Sequence, residues 1–200
     1  DPTISVGGIL HSIGGNVRVG KSDIFVTEAC EYTNSFLSFN PTMDVILNVK
    51  ADHLDFFKDI DDIRNSFKLF TERLPEDGTL IINTDIDDYT YFFSESSCEA
   101  ITVGSSGETS MYSPADITFD DSGCCSYKLV VNNEASFNSS FTDSESNGAV
   151  VNLSVPGIHN VYNSLAAIAV ARKLGISTDT IIAGLNKFTG TDRRFQKKGS

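Results

Sequence analysis

The chain has 200 residues, 40% of them apolar, 10% aromatic and 21% charged, enough to bury one sizeable core and a squeeze for a second full domain. Fifteen Lys and Arg against 27 Asp and Glu leave a formal net charge of -12, which argues against a binder of nucleic acid or of an anionic membrane, since both need clustered positive charge. The longest apolar run, residues 165–171, falls far short of the roughly 20 residues that span a bilayer, so no membrane segment is expected.

The sequence opens on Asp1 and Pro2, with no basic-then-apolar leader and no Met, and so reads as a piece of a longer protein. Four cysteines, Cys30, Cys98, Cys124 and Cys125, include an adjacent pair but no CxxC. That pattern suits neither a zinc site nor a disulfide framework and points to a reducing cytoplasm.

In chain order, β-rich runs at residues 3–6, 23–28 and 44–49 are followed by a helix over about 59–74 and further strands at 79–83 and 100–103. The helix carries Ile60, Ile63, Phe67, Phe70 and Leu74 on one face and ends before Pro75 and Gly78. Alternation of this kind predicts an α/β fold with a mostly parallel sheet flanked by helices. Between about 105 and 155 the texture changes to Ser, Asn, Asp and Gly around short strands at 117–119, 127–131 and 149–155, predicting a small antiparallel sub-sheet with a loosely ordered loop near 138–148. After Pro156-Gly157 a helix is expected from about Asn160 to Leu174, closed by Gly175. Another follows, capped by Ser177, with Ile181, Leu185 and Phe188 facing inward. The end of the chain, Arg193-Arg194-Phe195-Gln196-Lys197-Lys198, gathers four of the 15 basic residues into six positions.

Gly15–Ser22 fits the phosphate-loop expression G-x-x-x-x-G-K-[ST] letter for letter. A working phosphate loop opens a helix, whose amide groups and dipole hold the phosphate. Here the motif runs into Asp23-Ile24-Phe25-Val26-Thr27-Glu28, an alternating β pattern, so it is read as a glycine-rich turn between strands.

The chemistry-bearing residues lie elsewhere. Glu28 stands at the carboxyl end of one predicted strand, and Asp52 and His53 lie just past the next. Ligands of open α/β sheets gather at those ends, so carboxylate and imidazole can share a metal or phosphate site there; the alternative is a solvated strand end and a capping residue. Asn160 and Asn163 project from one face of a first helical turn and carry the donor and acceptor pattern that an adenine edge asks for, or else Asn160 merely caps the helix. His159 is a candidate by its location alone. Arg193 and Arg194 are either a phosphate or carboxylate clamp or a solvated basic tail.

Taken together, DPTISVGG (residues 1–8), EACE (28–31), NVKADHLD (48–55), PGIHNVYN (156–163) and FTGTDRRF (188–195) resemble the central ATP-binding domain of the Mur ligases, which build the peptide of peptidoglycan precursors. The resemblance covers nearly the whole chain outside residues 105–148. It implies the Mur central-domain fold, with the true phosphate loop and its strand upstream of Asp1 and the uridine-nucleotide and carboxy-terminal domains outside the chain. It further implies that Glu28 and His53 contact a catalytic Mg²⁺, that Asn160 and Asn163, with His159 beside them, hold the adenine of ATP, and that Arg194 faces the phosphate and acyl end of the site. The substrates it implies are UDP-N-acetylmuramate and L-alanine, joined through an acyl phosphate, or a recycled tripeptide in a sister ligase. A non-catalytic nucleotide-binding domain is the remaining alternative, and the chain by itself is expected to be inactive. Where the family reads EADESD this chain has EACEYT, so Cys30, Tyr32 and Thr33 replace two acids and a serine, and Lys50 stands where an acid is usual.

Overall fold

In the computed structural model, which describes residues 1–191, Asp1–Cys30 and the segment beginning at Thr189 form one unit and Glu31–Phe188 another. In the first unit β1 (Thr3–Leu10) lies between β2 (Gly15–Arg18), antiparallel to it, and β3 (Phe25–Thr27), parallel to it. Gly14, at φ 70°, closes the 3₁₀ turn His11–Ile13 that reverses the chain between β1 and β2. The sequence reading placed residues 3–6 and 23–28 in one sheet with residues 44–49. Instead β1 has both edges occupied within its own three-stranded sheet, and the strand at residues 43–46 belongs to the other unit.

The glycine-rich motif is a turn, as its β-rich continuation implied. The backbone N–H groups of Lys21 and Ser22 donate to the carbonyl of Asp1 (3.0 and 3.1 Å), and that of Lys21 also donates to Asp1 Oδ2 (3.1 Å). Any Cβ at Gly20 would collide with the backbone of Asp1 and Pro2. The amides a phosphate would need are thus engaged, and the chain proceeds into β3 rather than a helix.

The second unit is built on a six-stranded sheet in chain order: β4 (Met43–Ile46), β5 (Thr79–Asn83), β6 (Glu99–Val103), β7 (Tyr112–Phe119), β8 (Cys124–Val131) and β9 (Val150–Pro156). Strands β4 to β7 pair in parallel and β7 to β9 antiparallel, so the antiparallel part continues the main sheet. Its helices are α1 (Ile60–Thr71), α2 (His159–Lys173) and α3 (Thr178–Lys187). Every residue of β5 is buried, and alternation sends Ile81 into one core with Ile101, Val161 and Leu165, and Leu80 and Ile82 into another with Ala100, Phe92 and Leu74. A strand covered on both faces needs an unbroken apolar run, which Leu-Ile-Ile provides.

Side-chain details depart from expectation at the surface. Asp59 caps α1, its carboxylate accepting from Asp62 N at 3.0 Å, and Ile63 and Phe70 are buried, but Ile60 in the first turn is exposed. Phe188 is exposed rather than inward-facing because α3 ends at Lys187. Ser177 Oγ meets Thr180 Oγ1 and makes no cap bond. The segment 138–148, expected to be loosely ordered, is pinned by Asp143, which is 1% exposed and accepts from Tyr112 Oη, Arg172 Nη2 and Ser146 N at 2.8, 3.0 and 3.1 Å. No helix among the described residues is long and apolar enough to cross a membrane.

Candidate functional site

The loops that follow β4, β5 and β6 lie at the carboxyl ends of parallel strands, where open α/β sheets place their ligands. Those after β5 and β6 close on each other. Asp85 accepts from Ser105 N and Oγ (2.6 Å to the hydroxyl), and Thr84 Oγ1 meets Ser110 Oγ at 2.7 Å over Gly104, where an added Cβ would lie 2.6 Å from Ser110 Oγ. Helix α2 packs against β5 and β6. Burial pushes the Tyr162 phenol above its ordinary value, and the charge of Asp85 adds to the rise.

At the start of α2, the backbone of Gly157, at φ 99°, favours glycine, and a Cβ there would sit 2.6 Å from His159 Cε1, so the His159 side chain lies against it. Asn160 Nδ2 donates to the carbonyl of Pro156 (2.8 Å), and Asn160 Oδ1 accepts from Asn163 Nδ2 (3.2 Å). The two asparagines are thereby joined, the inner one tied to the end of β9 and the outer one exposed.

The loop after β4 carries the other group. His53 adopts a left-handed backbone (φ 52°); its N–H donates to Asp52 Oδ1 (2.7 Å) and its carbonyl accepts from the N–H groups of Phe56 and Phe57 (2.9 and 3.0 Å). The imidazole lies 4.6 Å from the Tyr32 ring, centroid to centroid, and its Nε2 is 3.8 Å from Glu31 Oε1. Tyr32 Oη donates to Asp55 Oδ2 at 2.9 Å, and this carboxylate raises the phenol above its ordinary value. Among the described residues, no hydrogen bond, ion pair or ring contact of His53 reaches Asn160 or Asn163.

Glu28, at the end of β3 in the first unit, is exposed and accepts from Gly7 N at 2.6 Å. A Cβ at Gly7 would lie 2.7 Å from the same carboxylate oxygen. Arg193, Arg194 and the rest of the basic cluster lie outside the described residues. Among the described residues no three of His, Cys, Asp and Glu converge as a metal cage. Of the donors at hand, the carboxylates fit a hard cation that takes one or two protein contacts and completes its shell with water and phosphate oxygens, as Mg²⁺ does, whereas the imidazole is an unusual direct ligand for it and suits a contact through water. Sequence reasoning missed Asp85, Ser105 and Ser110, whose only signal was their place just past two strands, and it noted Tyr32 only as a departure.

Residues 10–171 match the Mur ligase middle domain. The chain belongs to the Mur ligase family. Among its Mur ligase relatives, the UDP-N-acetylmuramate--L-alanine ligase of Lachnospira eligens is 64% identical over 200 residues, covering all of this chain and 41% of that protein. The enzyme of the same name from Agathobacter rectalis is 49% identical over 199 residues, 40% of its length. The chain therefore spans about two-fifths of the curated relatives it matches. Among solved structures, the UDP-N-acetylmuramate-alanine ligase of Thermotoga maritima superposes with a TM-score of 0.76 at 23% identity, covering 97% of this chain and 40% of that one. A MurF ligase from the same organism, solved in complex with ADP, gives 0.66 at 19% identity, covering 98% and 45%. At such identities these two likenesses speak for the Mur fold alone.

Proposed function

We propose that this chain supplies the nucleotide-handling middle part of a ligase that joins UDP-N-acetylmuramate to L-alanine with ATP and Mg²⁺. The observation that carries the reading is that relatives named for this reaction are 64% and 49% identical across the whole chain. The sister reaction on a recycled tripeptide has less support. The relatives at 64% and 49% identity are both named for addition of L-alanine.

In this reading the carboxylate of UDP-N-acetylmuramate attacks the γ-phosphorus of ATP, the bond to ADP breaks, and the amine of L-alanine then displaces phosphate from the acyl phosphate. The residues of this chain bind and orient. Glu28 and His53 hold Mg²⁺, which when bound neutralises phosphate charge. Asn160 and Asn163 read the adenine edge beside His159, and Arg194 faces the transferring phosphate. For a chain of net charge -12 the metal and the basic cluster at residues 193–198 supply the positive charge two polyanionic substrates need.

The test is phosphate release by the ligase carrying this chain, with UDP-N-acetylmuramate and ATP present. Release that requires L-alanine, and that a tripeptide does not replace, is the expected result; dependence on the tripeptide overturns the assignment. The 200-residue chain alone is expected to be silent in this assay and to bind Mg-ATP weakly, because the Gly15–Ser22 amides are engaged. Titration calorimetry checks this: micromolar binding abolished by Lys21→Ala would show that loop to be a phosphate site after all.

A further inference from the structure

Tyr32 occupies a position that neither the metal nor the adenine reading uses, in a stretch where this chain departs from the pattern of the family it resembles. Its ring lies against the imidazole of His53, tilted by 32° with the centroids 4.6 Å apart, and its hydroxyl holds Asp55 at 2.9 Å. One side chain thus engages two residues of the loop that carries the candidate ligand. On its other side Tyr32 begins a 3₁₀ segment, Tyr32–Ser38, anchored to the core. Phe36 is buried and stacks on Phe70 of α1 at 4.5 Å, and Asn34 accepts from the buried Ser66. The loop has its own anchor in Phe57, 2% exposed, which fixes the backbone of His53 but not the rotation of its imidazole. Glu31, 3.8 Å from Nε2, is too distant for a firm hydrogen bond. Among the described residues, that leaves the tyrosine ring as the contact that sets the imidazole plane.

We propose that Tyr32 is a positioning residue: it orients His53 and restrains Asp55, so that the affinity of the ligase for the divalent ion depends on a side chain that does not touch it. This rests on the metal reading of His53 given above. Outer partners that orient a metal-binding imidazole are worth about 10- to 100-fold in metal affinity, and a tilted ring contact with one hydrogen bond belongs at the lower end. Phenylalanine keeps the ring and loses the Asp55 bond, whereas alanine loses both.

The experiment uses the ligase carrying this chain with ring-labelled histidine, and Mn²⁺ alone as the probe. The His53 ring resonance is followed by NMR and the Mn²⁺ affinity by electron paramagnetic resonance. In Tyr32→Ala the ring-current shift on His53 is expected to vanish and Mn²⁺ affinity to fall about tenfold. Tyr32→Phe is expected to keep the ring-current shift and to lose about threefold in affinity, reporting the Asp55 bond alone. A normal far-ultraviolet spectrum and urea midpoint in Tyr32→Phe show that a loss is not unfolding. Unchanged affinity in Tyr32→Ala, with affinity lost in His53→Ala, overturns the inference and leaves the metal reading standing. Unchanged affinity in His53→Ala overturns both, because Tyr32 then has nothing to position.

Discussion

Two carboxylates in this chain each accept a tyrosine hydroxyl, Asp143 from Tyr112 at 2.8 Å and Asp55 from Tyr32 at 2.9 Å, and the pairs do different work because water reaches one and not the other. Asp143 is shielded, and its carboxylate also takes Arg172 and Ser146. Burial alone would raise its carboxyl, but hydrogen bonds from Ser146, Arg172 and Tyr112 outweigh that and hold it below the ordinary value. Asp55 and Tyr32 are exposed, so their bond is diluted by solvent and contributes little to folding. What it can do is fix a direction. The buried pair ties the loop 138–148 to β7, with Arg172 adding a tie to α2, and the exposed pair leaves its neighbours open to a ligand.

The contrast breaks most visibly on the buried side. Removing the guanidinium in Arg172→Ala strands a buried charge, and we expect a loss of about 3–5 kcal/mol in urea denaturation. The sign with pH follows from the lowered carboxyl of Asp143. Its contribution is complete above the unfolded value near 3.8 and is lost as pH falls through the lower folded value, so Arg172→Ala should flatten the acid limb of stability against pH. An unaltered acid limb would mean that the pair is not the group being titrated.

On the exposed side the cost should fall on catalysis. Glu28→Ala or His53→Ala in the ligase carrying this chain is expected to lower kcat about a hundredfold, the scale of one preorganised electrostatic contact, with an unchanged urea midpoint. Near-normal turnover in both variants removes them from the metal site.

The two sides also differ in how legible they were. Strand β5 was readable to the residue, because its centre, Leu80-Ile81-Ile82, is a continuous apolar run, and α1 was readable from its 3.6-residue spacing and from Pro75 and Gly78 beyond its end. Helical spacing put Asn160 and Asn163 on one face, and their mutual hydrogen bond agrees with that placement. The pinning of residues 138–148 was hidden, because a polar, glycine-bearing stretch looks the same whether or not an arginine 29 residues away buries its aspartate. The separate sheet of β1, β2 and β3 was hidden too, since strand patterns say which runs pair well but not which run takes an edge first. Tyr32 was visible as a departure, yet the contact that gives it a role comes from a loop more than 20 residues on.

A third carboxylate sharpens the comparison by having no partner for one of its oxygens. Asp44, in β4, is 3% exposed; its Oδ2 meets no donor among the described residues, and burial pushes its carboxyl up to about 7. The folded state therefore keeps a proton that the unfolded chain releases near 3.8, so this residue costs stability progressively as pH rises from about 4 to 7, and fully above that. Asp44→Asn, which cannot ionise, should be about 1–3 kcal/mol more stable than the parent at pH 8 and nearly equal to it at pH 4. Equal urea midpoints at both pH values would place an unrecognised donor on Oδ2.

The smallest effect is expected where two polar groups satisfy each other. Asn160 is tied to Pro156 and to Asn163, so Asn163→Ala removes one exposed amide and one neutral hydrogen bond and leaves the start of α2 anchored. If Asn163 reads adenine, its contact is made equally in the ground and transition states, and its loss should raise KM for ATP about five- to tenfold, on the order of 1 kcal/mol, with kcat nearly unchanged. Asn160→Ala should do more, because it also frees the carbonyl of Pro156 and loosens the turn in which Gly157 packs on His159. Its KM should rise further, with a lower urea midpoint that Asn163→Ala does not share. A fall in kcat alone in Asn163→Ala would instead place that side chain at the reacting phosphate and remove it from the adenine edge.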